Sequence, residues 1–121
     1  MTPVWQQRTN SFKNAVHNRG QLAMWVNVPW PPLLEILGHS GLDAAFIDME
    51  HTSNDFETIE RLIMAADLAG ITPLVRPASA ESHVVSRLLD AGAQGIVFAN
   101  VRDGEAAASA IRTTLYPPFG T

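Results

Sequence analysis

Residues 42–76 read LDAAFIDMEHTSNDFETIERLIMAADLAGITPLVR, and the fold class can be predicted from this segment. Its opening apolar run at 42–48 predicts a strand that is buried on both faces. A helix follows, with Asn54 or Asp55 as its N-cap. The apolar face of that helix comprises Ile59, Leu62, Ile63 and Ala66. A second apolar run at 71–76 predicts the next strand. Strand, helix and strand in this order form a βαβ unit with two parallel strands.

The same unit recurs on both sides of this stretch. Apolar runs at 22–26 and 95–99 predict the first and fourth strands, and a short helix at 11–18 precedes them. The other predicted helices run from Pro31–Pro32 to His39, from Ser79 or Glu81 to Gly92, and from Asp103 to Thr113. Four such units predict an α/β fold, either an open doubly wound sheet or part of a (β/α)₈ barrel. A whole barrel takes about 250 residues, so four units amount to half of one.

Composition excludes several classes of function. The 121 residues fit one domain. The net charge is −4, and the sequence contains no block of like charges that would indicate nucleic-acid binding. Cysteine is absent, which excludes disulfides and zinc–sulfur sites. The single lysine, Lys13, argues against Schiff-base chemistry. We expect a cytoplasmic protein, because residues 1–10 lack the features of a secretory signal and no apolar run reaches membrane-spanning length.

Only 17% of the residues are charged, against about 25% in an average soluble domain. This low fraction predicts that part of the surface is covered by another protein surface.

Polar and aromatic residues stand where the predicted strands end. Trp25 ends the first strand, Asp48 ends the second and is followed by Glu50 and His51, and Arg76 ends the third. Because the chemistry of parallel α/β folds lies beyond the carboxyl ends of the strands, these residues are the candidate site. No GxGxxG or GxxxxGK[ST] motif follows a strand, which argues against a dinucleotide site or a P-loop.

The segment from Asp48 to His51 allows three interpretations. Asp48, Glu50 and His51 have the side chains of a metal site, but neighbours in an extended chain point to opposite sides. A histidine oriented by a carboxylate suits a general base better. The third possibility is a polar loop that caps the second helix of the repeat.

Three other residues each have two interpretations. Arg76 either holds a carboxylate or enolate oxygen of a substrate or pairs internally with Asp48 or Glu50. Trp25 is either a wall of the substrate site or part of the core, and the core is the better interpretation. Asp90 lies in the last turn of a helix, where its negative charge opposes the helix dipole. Its carboxylate therefore either interacts with a group outside the helix or is solvated at the surface.

Several stretches are similar to a known family. These stretches are NSFK (10–13), LAMW (22–25), GLD (41–43) running to IDMEH (47–51), PLVRP (73–77), LLDAGAQG (88–95) and YPPFG (116–120). With them the chain resembles the HpcH/HpaI aldolases, which are metal-dependent class II aldolases that handle pyruvate. The resemblance covers essentially the whole chain, and its Asp-x-Glu-His and Arg-Pro elements are specific. The chain departs from the family pattern at residues 98–101, where the sequence Phe-Ala-Asn-Val lacks the proline that is usual in the family.

The resemblance implies a fold, an activity and roles for residues. The fold is the N-terminal half of a (β/α)₈ TIM barrel, a single partial domain over residues 1–121. The activity is reversible cleavage of a 4-hydroxy-2-oxo acid to pyruvate and an aldehyde. His51 is the general acid/base, Asp90 raises its basicity, Arg76 stabilises the enolate and Asp48 is the acid beside the histidine.

The resemblance also implies a cofactor and partners. A divalent metal, Mg²⁺ or Mn²⁺, is expected for the complete enzyme, and its glutamate and aspartate ligands belong to a later half that residues 1–121 do not contain. The 121-residue chain alone is therefore expected to be inactive. The expected partners are a small keto-acid substrate and either a second copy of the chain or a missing C-terminal half. The alternative function is a non-catalytic half-barrel that serves as an oligomerisation or scaffold module through its open sheet edges.

Overall fold

The computed structural model describes residues 9–121, which form one parallel sheet with helices between its strands. The strands are β1 (Ala23–Val26), β2 (Ala44–Asp48), β3 (Thr72–Arg76) and β4 (Gly95–Ile96). The helices are α1 (Ser11–Ala15), α2 (Pro32–His39), α3 (Phe56–Leu68), α4 (Ser82–Asp90) and α5 (Gly104–Thr113). The α/β class and all nine predicted elements are confirmed.

The order of the strands distinguishes the two architectures that the sequence allows. The sheet runs β1-β2-β3-β4, and every neighbouring pair is parallel. A doubly wound sheet reverses its strand order at a switch point, whereas a (β/α)₈ barrel adds each strand beside the last. The consecutive order is therefore that of half a barrel. It places the helices on one face of the sheet, because every crossover has the same hand.

Capping residues fix where the helices begin. Asn10, Asp55 and Asp103 each accept a hydrogen bond from the backbone N–H three residues later, which satisfies a donor that the helix leaves free. Asp55 rather than Asn54 therefore caps α3. Glycines with positive φ follow the helix ends, with φ 77° at Gly70 and 107° at Gly92.

The main core lies between the sheet and helices α2 and α3. Leu34 from α2 and Ile59 from α3 are fully buried against Ile47 and Val75 of the sheet. All four residues predicted for the apolar face of α3 are buried. A helix in this position needs a continuous apolar stripe, and the sequence provides one.

The opposite face of the sheet carries the row of side chains that leads to the candidate site. Register places Trp25, Phe46, Leu74 and Gly95 in one row across the four strands. Leu74 lies over the glycine, since a Cβ there would be 2.6 Å from Leu74 Cδ2. Two residues further along the strands, Asp48 and Arg76 face each other in register on the same side.

Helix α1 lies at the other end of the sheet, where the strands begin. The Asn10 side-chain amide donates to the Gln94 carbonyl oxygen at 2.8 Å, and the Ser11 and Thr72 hydroxyls lie 3.3 Å apart. The rim formed by the strands' carboxyl ends is therefore left free by α1.

The described helices are short. The longest, α3, has 13 residues, and none within residues 9–121 is long and apolar enough to cross a membrane. The prediction that residues 1–10 carry no secretory signal falls largely outside the described residues.

Candidate active site

A buried ion pair is the centre of the rim. Asp48, at the end of β2, has no exposed surface. Arg76, at the end of β3, donates to it twice, from Nε to Oδ1 at 2.9 Å and from Nη2 to Oδ2 at 2.8 Å. This two-pronged hydrogen bonding lowers the pKa of Asp48 and raises that of Arg76. Of the two interpretations of Arg76, the structure therefore shows the internal ion pair.

Asp48 also organises the loop between β2 and α3. Its Oδ1 accepts from the backbone N–H of Glu50 at 3.0 Å and of His51 at 3.5 Å. Its main-chain carbonyl accepts from the Thr52 hydroxyl at 2.9 Å and from the Asn54 side-chain amide at 3.2 Å. The loop is thereby anchored to one buried residue, through both its carboxylate and its main-chain carbonyl, and His51 leaves the sheet at a fixed point.

Trp25 covers one side of Arg76. The guanidinium carbon lies 4.5 Å from the centre of the Trp25 ring, which is a cation–π contact. The ring also stacks on Phe46, with 5.0 Å between the centroids. Trp25 is nevertheless 46% exposed, so the prediction that it belongs to the core is wrong. It stands at the edge of an incompletely covered sheet face, as the wall of a site would.

The guanidinium keeps donors for a further ligand. Nε and Nη2 are engaged by Asp48, whereas no hydrogen bond within residues 9–121 is assigned to Nη1. The Arg76 side chain is 20% exposed. A fixed, partly exposed guanidinium with a free nitrogen is suited to a carboxylate or an enolate oxygen.

His51 stands at the exposed side of this cluster. Its side chain is 69% exposed, and its Nε2 lies 3.7 Å from Glu50 Oε2. Glu50 in turn lies 3.3 Å from Arg76 Nε. Glu50 is among the residues that the sequence places at the rim, but the sequence assigns it no catalytic role. Its position two residues beyond Asp48, on the same side of an extended segment, is consistent with its contact with Arg76.

Asp90 is not brought to this rim within the chain. It ends α4, and helices between parallel strands run antiparallel to them, so this end of α4 lies near the edge where the strands begin. There Asp90 Oδ1 accepts a 2.5 Å hydrogen bond from the Tyr116 hydroxyl, which raises the pKa of Tyr116. The predicted contact between Asp90 and His51 is thus absent from residues 9–121, and a catalytic role for Asp90 stays a prediction.

The loop after β4 contributes a cavity at the rim. A space of about 180 Å³ lies between the loops that follow β2, β3 and β4, with Glu50, Ser79 and Asn100 in its lining. Asn100 has φ 58°, a left-handed conformation that asparagine tolerates better than most residues. The segment at 98–101, where the sequence departs from the family, therefore forms one side of this cavity.

The described residues do not fit a divalent metal. Within residues 9–121 no three His, Cys, Asp or Glu side chains stand close enough together to hold one. Asp48, the most buried carboxylate, has both oxygens engaged by Arg76. The interpretation of Asp48, Glu50 and His51 as a metal cluster is therefore not supported by their geometry.

Comparison with curated proteins shows similarity to aldolases. The chain is 38% identical to a hydroxypyruvate/pyruvate aldolase of Paraburkholderia phytofirmans over 93% of its own length and 44% of the relative. It is 34% identical to a 4-hydroxy-2-oxo-heptane-1,7-dioate aldolase of Shigella sonnei, over 92% of the chain and 43% of the relative. The chain thus spans less than half the length of these relatives.

Solved structures agree in fold. A family protein from Burkholderia cenocepacia superposes with a TM-score of 0.85 at 32% identity, over 93% of this chain and 47% of the other. The citrate synthase SbnG gives a TM-score of 0.83 at 32% identity, over 93% and 46%. Residues 21–121 match the family described as HpcH/HpaI aldolase/citrate lyase. Since that match covers most of the chain, the chain belongs to the HpcH/HpaI aldolase/citrate lyase family.

Proposed function

We propose that the protein to which this rim belongs is a carbon–carbon lyase that cleaves a 4-hydroxy-2-oxo acid reversibly to pyruvate and an aldehyde. One observation carries the proposal: an arginine fixed by a buried carboxylate stands beside an exposed histidine at the carboxyl ends of the strands. The names of the aldolase relatives support the substrate class.

The proposed reaction uses these two side chains in turn. His51 takes the proton of the 4-hydroxyl group, and the bond between C3 and C4 breaks as the aldehyde carbonyl forms. The electron pair passes to C3 and the 2-keto group, which gives the enolate of pyruvate. Arg76 stabilises the negative oxygen of that enolate through its free donors. The proton that His51 has taken is then delivered to C3, directly or through water, which yields pyruvate and returns His51 to its neutral form.

The surroundings have supporting roles. Trp25 forms the wall beside Arg76, and its contact keeps the guanidinium plane in place. Asp48 holds Arg76 and shapes the loop that carries His51. We assign the aldehyde portion of the substrate to the cavity between the loops after β2, β3 and β4.

The cofactor is proposed from the family alone. A divalent metal, Mg²⁺ or Mn²⁺, is proposed for the complete enzyme, where it would act as a Lewis acid on the keto acid. The described residues do not supply a set of ligands for this metal. A cytoplasmic location is proposed from the sequence features given above.

Association with a second copy or with a C-terminal half is proposed from the sheet. Within the described residues β1 pairs only with β2. Leu22 and Met24 along this edge are 68% and 46% exposed. Open, apolar strand edges favour pairing with further protein.

The activity is tested with a chimera. This chain replaces the matching N-terminal part of the P. phytofirmans aldolase, and pyruvate release from a 4-hydroxy-2-oxo acid is followed with Mg²⁺ or Mn²⁺ present. We expect release, and we expect His51→Ala to lower kcat by about 10²–10⁴-fold with little change in KM. His83→Ala, at an exposed position on α4, is the matched control. A folded chimera without pyruvate release would contradict the proposal.

A further inference from the structure

The cavity between the loops that follow β2, β3 and β4 has one acidic side chain and no basic one among its described lining residues. Its polar lining consists of the Glu50 carboxylate, the Ser79 hydroxyl and the Asn100 amide, and the rest is formed by alanines, a proline and a phenylalanine. Arg102, the basic residue nearest to Asn100 along the chain, is exposed and is not part of the lining. The only formal charge that the described residues place at the wall of this cavity is therefore negative.

The ion pairs beside the cavity leave a surplus of negative charge. Asp48 and Glu50 share one guanidinium, since Arg76 donates twice to Asp48 and its Nε lies 3.3 Å from Glu50 Oε2. Two carboxylates and one guanidinium leave one negative charge in this cluster while His51 is neutral. A carboxylate that entered the cavity would meet this like charge without a cation beside it, and such a juxtaposition is unfavourable.

The two neutral polar side chains of the cavity suit a hydroxyl group. The Ser79 oxygen accepts from the backbone N–H of Glu81 at 3.4 Å, which leaves the hydrogen of its own hydroxyl for another acceptor. The Asn100 amide offers both donors and an acceptor. A hydroxyl group donates and accepts as well, so it can pair with both side chains. An apolar group in the same place would leave them without a partner from the ligand.

We propose that this cavity selects a short, neutral, hydroxylated aldehyde and discriminates against aldehydes that carry a carboxylate, with Glu50, Ser79 and Asn100 as the residues that set this specificity. The inference rests on the proposed function, in which the aldehyde portion of the substrate occupies the cavity. A short aldehyde fits the volume of about 180 Å³, which is below the roughly 300–1,000 Å³ of sites for drug-sized ligands. The part of the aldehyde beyond its carbonyl takes no part in bond making, so the cavity acts through binding of that part.

The test uses the chimera with the P. phytofirmans aldolase and two aldehydes of equal carbon number. Glycolaldehyde carries a hydroxyl group, and glyoxylate carries a carboxylate in its place. Their addition to pyruvate gives kcat/KM for each, and we expect glycolaldehyde to be preferred by about tenfold. In Ser79→Lys, which brings a cation to the cavity, this ratio should move toward glyoxylate by about tenfold. Ser79→Met, which has a similar length and no charge, is the matched control. Comparison of these variants cancels the difference in intrinsic reactivity between the two aldehydes.

Two results would overturn the specificity. One is a preference of the unmutated chimera for glyoxylate, which is measured without any variant. The other is a folded Ser79→Lys chimera whose ratio moves no further toward glyoxylate than that of Ser79→Met. Exchange of the pyruvate methyl protons for deuterium requires no aldehyde and reports on the proposed function separately. Exchange without the expected preference overturns this inference alone, whereas a folded chimera without exchange overturns the proposed function and this inference with it.

Discussion

Arg76 shows how far residue types alone can predict a site. Its position after an apolar strand indicates that it must be paired, and Asp48 was among the predicted partners. The sequence could not show that both prongs of the guanidinium are used, because that depends on the register between β2 and β3. Nor could it show that Trp25 stays half exposed, since apolar spacing does not reveal which sheet face lacks a covering helix.

Asp48 should make the stability of the chain depend on pH in acid. Its pKa is lowered by Arg76, so the folded state favours the charged form. The stabilisation is present above the unfolded aspartate pKa of about 3.9 and is lost as the pH falls below it. We expect Asp48→Asn to lower the free energy of unfolding by about 3 kcal/mol at neutral pH. The difference from the unmutated chain should shrink below about pH 4.

Denaturant unfolding between pH 3 and pH 7 measures this difference. Glu57→Gln is the control, because Glu57 is also paired with an arginine, Arg61, but both side chains are largely exposed. Its effect should be much smaller, as for other surface ion pairs. Equal effects of the two substitutions at neutral pH would show that the Asp48 pair is not a buried anchor.

At the scale of elements, most of the fold could be predicted. Helix α3 was predicted well because its cap, its apolar stripe and the glycine after it agree. The ends of other helices and strands could not be predicted as well. The first helix stops at Ala15 rather than at 18, and β4 covers only Gly95–Ile96 rather than 95–99. Strand length depends on the neighbours that pair with it, and within the described residues β4 pairs only with β3.

The contact between α2 and α3 depends on a glycine. A Cβ at Gly38 would lie 2.6 Å from the backbone oxygen of Ala69 and 2.9 Å from its Cβ. Neither atom can move without shifting the end of α3. We therefore expect Gly38→Ala to destabilise the chain by about 1–3 kcal/mol, as overpacking does.

Gly104→Ala is the matched control for that substitution. Gly104 is also helical, but a Cβ there would meet nothing within 4 Å. Alanine at this position should be neutral or slightly stabilising. Thermal unfolding of the two variants gives the comparison, and an unchanged melting temperature for Gly38→Ala would mean that the helices are less closely packed than described.

The two ends of the sheet have different roles. The rim at the carboxyl ends holds the candidate site, while α1 and the pair of Asp90 and Tyr116 lie toward the other end. The consecutive strand order could not be obtained from the sequence pattern alone, since doubly wound sheets show the same alternation of strands and helices. Family resemblance supplied that information, and the structure confirms it.

The Asp90 and Tyr116 pair links α4 to the segment after α5, and one titration reports on it. Asp90 raises the pKa of Tyr116, which is the only tyrosine in the chain. In Asp90→Asn the phenol should therefore ionise at lower pH, and ultraviolet absorbance follows this without interference from a second tyrosine. An unmoved titration would show that the hydrogen bond does not form in solution. If Asp90→Asn also changed the pH–rate profile of the chimera, the predicted catalytic role of Asp90 would gain support.

In the proposed reaction Arg76, held by Asp48, stabilises the enolate of pyruvate. Exchange of the pyruvate methyl protons for deuterium in D₂O, followed by NMR, measures enolate formation without any knowledge of the aldehyde. We expect the chimera with the P. phytofirmans aldolase to catalyse this exchange and Arg76→Lys to slow it by about 10²–10³-fold, because lysine lacks the planar fork. Exchange at the same rate in a folded Arg76→Lys chimera would contradict the claim.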